Sequence, residues 1–330
     1  MTIMHTTTPV RYDRLARIAG RHDWWRPIVG TGLLAVLALA GMVLVYELSS
    51  TVGDLLGLPL DKDDWPIFDD VTAAAIDLLA IAIMLPALAL TLRLVQKRGW
   101  GSITSVTGRL RLAWLGRCLV VAAATTVVTM GGTIGLSYLT DPGATEGPWV
   151  GWRTFVIGLP MLICLVPLQA AAEEYVFRGW LLQATGSLFR SPVTVVVPQA
   201  LLFAAAHGWG TPWGFADLAV FGVLAGWLTI RTGGLEAAIA LHVTTNLIAM
   251  VLASVFAGGL SSDETAAELP WPIALLDLAM VLVFAALILR LARIRGVTTE
   301  APQYSDGGSR NTPVVNQDHS VVRFSGTRSR

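Results

Sequence analysis

The sequence predicts an all-α, polytopic membrane protein with about eight transmembrane helices, and three observations lead to that fold class. Hydrophobic residues make up 54% of the chain and charged residues only 14%, whereas roughly a quarter of a soluble domain is charged. Mean hydropathy is +0.63. Uncharged apolar runs recur at lengths near the roughly 20 residues an α-helix needs to cross a bilayer, and only helices satisfy every backbone group of such runs in lipid. These features exclude a soluble α/β enzyme. The 23 basic and 23 acidic side chains cancel, so neither a global field nor a basic arm points to nucleic acid. The lipid bilayer is the partner that composition indicates.

The first span, 27–48, follows a segment, 1–26, that holds Arg11, Arg14, Arg17, Arg21 and Arg26. Its apolar stretch is longer than a signal-peptide core and reads as a retained anchor, with Ala38-Leu39-Ala40 as a minor cleavage signal. Further spans are predicted at 71–95, 113–139, 153–188, 192–207, 213–230, 234–257 and 270–292. The fourth and fifth form a hairpin that turns near Arg190, where Ser191 and Pro192 end one helix and start the next. From 296 the composition turns to Ser, Gly, Asn, Thr, Gln and Pro. So little apolar surface cannot offset the entropy of ordering, and 296–330 is predicted to be a disordered tail. Cys118 and Cys164 lie in apolar segments without metal or redox spacing and read as small core hydrophobes. The chain thus divides into an N-terminal segment (1–26), N-terminal helices (27–150), a C-terminal helical core (151–295) and the tail. No internal repeat and no matched pair of broken helices suggests a transporter.

Basic residues orient the bundle. Five lie in the N-terminal segment, and Arg93, Lys97, Arg98, Arg109, Arg111 and Arg117 flank the second connection; the first connection has only Lys62 and the third only Arg153. Arg178, Arg190, Arg231, Arg290, Arg293 and Arg295 fall on the side of the N-terminal segment. By the positive-inside rule both termini are expected in the cytoplasm of a multi-pass cell-membrane protein.

An ionisable side chain inside a span is costly and so marks a functional candidate. Such residues are expected to cluster between 173 and 246, in three pairs four residues apart. Glu173-Glu174-Tyr175-Val176-Phe177-Arg178-Gly179 puts Glu174 and Arg178 on one helix face and turns Glu173 about 100° away, toward a different environment. Phe203 and His207 share a second face, and His242 and Asn246 a third. Taken singly, these pairs serve equally as helix-end ion pairs or as polar glue between helices. Jointly they align. Glu173 lies 17 residues before Arg190 and His207 lies 17 after it, which sets both roughly 25 Å from the turn at 1.5 Å per residue. His242 lies 11 residues past Arg231, so tilt can bring it into the same layer.

A carboxylate beside a histidine can take a proton from water, because burial shifts Glu toward the working range of a general base. A second histidine with a carboxamide can donate to the oxyanion that forms when that water attacks a peptide carbonyl. Glu173, His207 and His242 could equally ligate zinc with a water in the fourth position, and the sequence leaves both open. It holds no HExxH and no GxSxG motif.

These three motifs, in this order on successive apolar helices, resemble those of the CAAX protease and bacteriocin-processing (CPBP) intramembrane proteases, relatives of the type II CAAX prenyl endopeptidases. Phe177 and Gly179 also match, and the resemblance covers about 165–255. It implies an intramembrane endopeptidase, of glutamate or metallo type, with its protease core in the C-terminal half. Glu173 and His207 would activate water, and His242 with Asn246 would stabilise the oxyanion. Glu174 and Arg178 would give structural support, and Phe203 would pack near the site. No cofactor is required by this reading, and zinc remains the one candidate. Because the composition points to a bacterium, the implied substrate is a membrane-associated peptide or protein rather than a prenylated one. The family also includes proteins named for immunity, so a non-catalytic immunity or scaffold role is the alternative. The hairpin arithmetic places the site away from the Arg190 side, whereas the resemblance implies access from the cytosol.

Overall fold

The computed structural model describes residues 6–140, 147–261 and 265–304. The chain opens with a strand, β1 (Thr6–Arg11), and a 3-10 turn over Tyr12–Arg17. Helix α1 (Arg26–Leu55) begins with Pro27, whose missing N–H would have had no intrahelical partner in the first turn. The next span combines α2 (Asp70–Ala82), α3 (Met84–Thr91) and a π segment, Leu92–Gln96. Asp69 caps it by accepting from the amides of Val71 and Thr72. After the single turn α4 (Gly101–Thr104) come α5 (Leu112–Thr140) and α6 (Trp152–Glu174). A second π segment, Tyr175–Leu181, leads into α7 (Leu182–Leu188). Helices α8 (Pro192–Ala206), α9 (Pro212–Thr232), α10 (Glu236–Ala253) and α11 (Trp271–Ile294) complete the bundle, and a strand, β2 (Glu300–Tyr304), follows it.

The protein is a multi-pass, all-α membrane protein. Among the described residues seven helical runs are long and apolar enough to cross a membrane, and α8 is a shorter apolar helix, so each of the eight predicted spans has a helical counterpart. The Trp152–Leu188 run is 37 residues long, well beyond the roughly 20 that a bilayer needs. Pro160 and Pro167 lie inside α6, each removing a backbone donor, and the π segment follows directly after Glu174.

Helix α10 occupies the centre of the bundle, packed against α5, α6 and α9. Every residue from Glu236 to Thr244 is buried, as expected of a helix enclosed on all sides. It is reached by a sharp turn from α9 through Gly233, whose φ of +71° is one that side-chain-bearing residues rarely adopt. Helices α8 and α9 approach closely at Gly222, where a Cβ would fall 2.8 Å from the Cα of Ala200, and Gln199 Nε2 donates to the Gly222 carbonyl at 2.9 Å. This is the small-residue packing that membrane helices favour.

The first and last described segments meet. Strand β1 pairs antiparallel with β2, Val10 opposite Ala301 and Arg11 opposite Glu300, so Thr6–Arg11 and Glu300–Tyr304 sit at the same end of the bundle. The N-terminal arginines there satisfy helix-end carbonyls: Arg17 donates to Ser187 O at 2.6 Å and Arg14 to Arg190 O at 3.0 Å. The pairing corrects the expectation of disorder from 296, since Glu300–Tyr304 is a strand. Its backbone partner comes from the other end of the chain, which local composition cannot reveal. The rest of the predicted tail, 305–330, lies outside the described residues.

At the same end Arg111 fastens the start of α10. It grips the fully buried Glu236 with two side-chain bonds of 2.8 and 2.6 Å and reaches the carbonyls of Thr232 and Thr298. Breaking a buried ion pair by removing one partner typically costs about 3–5 kcal/mol, whereas replacing both with apolar residues is often neutral. Arg111→Met is therefore expected to lower the thermal-unfolding midpoint of the detergent-solubilised chain markedly, and Arg111→Met with Glu236→Leu to recover most of the loss. Equal midpoints for wild type and single variant would show that the clamp does not stabilise the bundle.

Candidate active site

The last turn of α6 carries Glu173 and Glu174, and the π segment carries Arg178. All three are buried, Glu174 and Arg178 completely. Buried charge at this density persists only if each group finds partners, and α10 supplies the central one. His242, 3% exposed, stands between the two carboxylates. Its Nδ1 lies 2.8 Å from Glu174 Oε1 and its Nε2 3.5 Å from Glu173 Oε2. Glu174 Oε1 also accepts from Arg178 Nη1 at 2.7 Å. Because Glu174 Oε1 can only accept as a carboxylate, Nδ1 of His242 carries a proton and Nε2 is the nitrogen presented to Glu173.

Glu173 and Glu174 thus meet different environments, as their 100° offset implies, but on the two sides of one imidazole. On the far side of Glu173, Gln169 Nε2 donates to Oε1 at 2.8 Å, and Asn246 Nδ2 donates to Gln169 Oε1 at 3.3 Å. A continuous polar chain therefore runs Asn246, Gln169, Glu173, His242, Glu174, Arg178. Gln169 is absent from the candidates read from the sequence, although a carboxamide four residues before Glu173 in an apolar span was a legible signal.

Three phenylalanines enclose the charged end of this chain. The Arg178 guanidinium carbon lies 4.1 Å from the ring centre of Phe203, 5.4 Å from Phe221 and 6.0 Å from Phe177, a cation–π arrangement in a dry setting. Phe203 and Phe221 also pack against His242, with ring centres 5.7 and 5.5 Å away. Phe221 was not foreseen, because one aromatic residue in an apolar span carries no signal of its own.

Among the described residues His207 is not hydrogen-bonded to this network. It caps the C-terminus of α8, half-buried, with its ring 4.6 Å from Phe203. The His207 Nδ1 is 2.9 Å from the Phe203 carbonyl; a carbonyl only accepts, so Nδ1 is the donor of this bond. The zinc set of Glu173, His207 and His242 is consequently not assembled. Among the described residues no group of three or more His, Cys, Asp or Glu is gathered as metal ligands would be.

The sequence of this region matches a known family. Residues 154–248 match the type II CAAX prenyl endopeptidase Rce1-like family. The C-terminal half carries an Rce1-like domain. The resemblance carried by the three motifs is thereby borne out, and the likeness is to a family of protease-type enzymes. Uncharacterized protein YyaK of Bacillus subtilis (strain 168) is 23% identical over 237 residues, which is 70% of this chain and 78% of that protein. No solved structure matches the chain significantly. The six-residue polar chain lies wholly inside the Rce1-like segment, between Gln169 and Asn246.

Glu174 and Arg178 form a pair with no water-facing side. A double-mutant cycle of Glu174→Gln and Arg178→Met, read by unfolding of the solubilised chain, is expected to give a coupling on the order of 2 kcal/mol, within the range found for contacting residues. Additive losses would show that the two side chains act separately.

Proposed function

We propose that the protein is an intramembrane endopeptidase that hydrolyses a peptide bond of a membrane-associated protein or peptide with Glu173 as general base. The observation that carries this reading is the buried Glu173–His242–Glu174 arrangement inside the Rce1-like segment. Gln169 fixes one oxygen of Glu173 and leaves Oε2 without a closer donor than His242. That oxygen is suited to accept a proton from a water molecule. His207, at the end of α8 beside Phe203, is assigned as the second group on that water. As the water oxygen bonds to the carbonyl carbon, the carbonyl oxygen becomes an oxyanion, and the proton held by Glu173 passes to the leaving amine.

The oxyanion is assigned to His242 and Asn246. Glu174 orients the ring and Arg178 holds Glu174. Water attack driven by a carboxylate makes the catalytic type that of a glutamate protease. The site lies six residues into α10 from its Arg111-fastened end and 11 from the other. We assign that nearer end, which carries Thr6–Arg11 and Glu300–Tyr304, to the cytoplasm of the cell membrane on its arginine content, and substrate then reaches the site from the cytoplasmic half.

Glu173→Gln keeps the shape and removes the base. Comparing the membrane-proteome N-termini of cells that make wild type or Glu173→Gln at equal abundance is expected to show termini that vanish in the variant. Identical sets, together with function that survives the joint loss of Glu173, His207 and His242, would replace this reading with a non-catalytic immunity or scaffold role.

A further inference from the structure

The corner where the Tyr12–Arg17 turn meets the end of α7 carries more positive charge than the neighbouring carboxylates neutralise. Arg11 takes the buried Asp13 through two bonds of 3.0 and 2.9 Å and also faces Glu300. Arg14 comes only to 3.6 Å of Asp13. The corner is then shared by Arg14, Arg17 and Arg190. Arg14 Nη2 donates to the carbonyls of Phe189 and Arg190, and Arg17 Nη2 to that of Ser187. Burial and the like charges of Arg14 and Arg190 lower the pKa of Arg17, so the three guanidiniums lie within electrostatic reach of one another. The helix-end carbonyls they meet offset only about half a charge. An anion placed among them relieves the repulsion that is left.

Two further features define that anion. Arg17 Nε is buried and meets no acceptor among the described residues, an unfilled donor that costs stability until an oxygen reaches it. Guanidinium forks match the paired oxygens of a phosphate group. Beside the cations, the turn between α7 and α8 is apolar and bare: Leu188 is 38% exposed, Phe189 49% and Val193 66%. The short apolar helix α8 starts at this turn, which sets these side chains where headgroups give way to hydrocarbon. A free phosphate would satisfy the arginines and leave the apolar side chains bare. A phospholipid meets both, with its phosphate on the guanidiniums and its acyl chains along Phe189 and Val193.

We propose that Arg14, Arg17 and Arg190 bind the phosphate of an anionic phospholipid, whose acyl chains cover Phe189 and Val193 on the turn between α7 and α8. A headgroup with net negative charge, such as phosphatidylglycerol, answers the surplus of positive charge, whereas a zwitterionic headgroup brings a further cation to the three already there. The bound lipid joins the segment before α1 to the end of α7 and the start of α8. Helix α7 continues the run that carries Glu173, Glu174 and Arg178, so the lipid steadies the turn of the hairpin on which the candidate site is built.

The test uses the full chain purified in an uncharged detergent, with dioleoyl phosphatidylglycerol, dioleoyl phosphatidylcholine and inorganic phosphate as separate probes. Lipid retained by the folded chain is measured by native mass spectrometry, and the thermal midpoint is followed as each probe is titrated. Wild type is expected to retain phosphatidylglycerol in preference to phosphatidylcholine and to gain thermal stability with phosphatidylglycerol alone. Arg190→Gln, at an exposed position, is expected to weaken phosphatidylglycerol binding roughly fivefold or more, the worth of one basic side chain at an anionic surface. Arg117→Gln removes an equal charge from an exposed position on α5 and is expected to leave the binding unchanged. Equal stabilisation by phosphatidylcholine or by inorganic phosphate would overturn the proposal, and the wild-type chain alone decides this. Unchanged affinity in Arg190→Gln would overturn it too, as would an equal loss in Arg117→Gln, which would show diffuse attraction in place of a site. Because none of these readouts is proteolysis, their outcome is separate from that of the protease reading.

Discussion

Two adjacent carboxylates in one helical turn, inside a layer that gives charge no solvent, constrain everything else in the C-terminal half. Neither Glu173 nor Glu174 can stay ionised there without a donor, and a single facing residue has to serve both, because α10 is the helix packed against that turn. A histidine is suited to this task. Its two ring nitrogens point to different sides, so one imidazole touches Glu174 through Nδ1 and Glu173 through Nε2. Lysine or arginine would bring a permanent charge and a long stem, and a carboxamide would bring no titratable nitrogen. The burial of His242 in turn requires a central, fully enclosed α10, which explains why its first half is buried throughout.

The division of labour between the two glutamates follows from their second partners. Glu174 shares one oxygen between His242 and Arg178, and the Arg178 guanidinium is walled in by aromatic rings. Its position is fixed and its charge compensated, which suits a supporting group. Glu173 meets only neutral donors besides His242, from Gln169 on its own helix. The site is thus asymmetric although its two acids are neighbours in sequence. The π segment that begins at Tyr175 marks the place where the helix departs from regular geometry, as π-bulges often do at functional sites.

Much of this was legible in the sequence, because in lipid the rules are few. Span positions followed from length and apolarity, and the helix ends differ from the predicted limits by only a few residues. The pairing of Glu174 with Arg178 followed from four-residue spacing. Three things were hidden, each for a physical reason. The hydrogen bond of His207 depends on where α8 stops: the helix ends at Ala206, and Nδ1 of the ring meets the Phe203 carbonyl of its last turn. Strand β2 forms only because β1 arrives from the far end of the chain, and a contact across that separation leaves no local pattern. Asp277 lies outside the interval to which buried charges were assigned, and Asp217, to which it hydrogen-bonds, stands inside it without a companion at helical spacing, so only the packing of α11 on α9 brings them together.

Helix α10 gathers these strands of argument. Its start is held by Arg111, one stripe of its surface carries His242 and Asn246, and the neighbouring stripe carries Leu241 and Thr245. Adjacent stripes on one helix cannot move independently: a rotation that shifts Thr245 relative to α5 and α11 also shifts His242 relative to Glu173. The 3.5 Å separation of His242 Nε2 from Glu173 Oε2 is long for a hydrogen bond and short for a charge pair. Packing of α10 against α5 on one stripe therefore bears on how His242 meets Glu173 from the next.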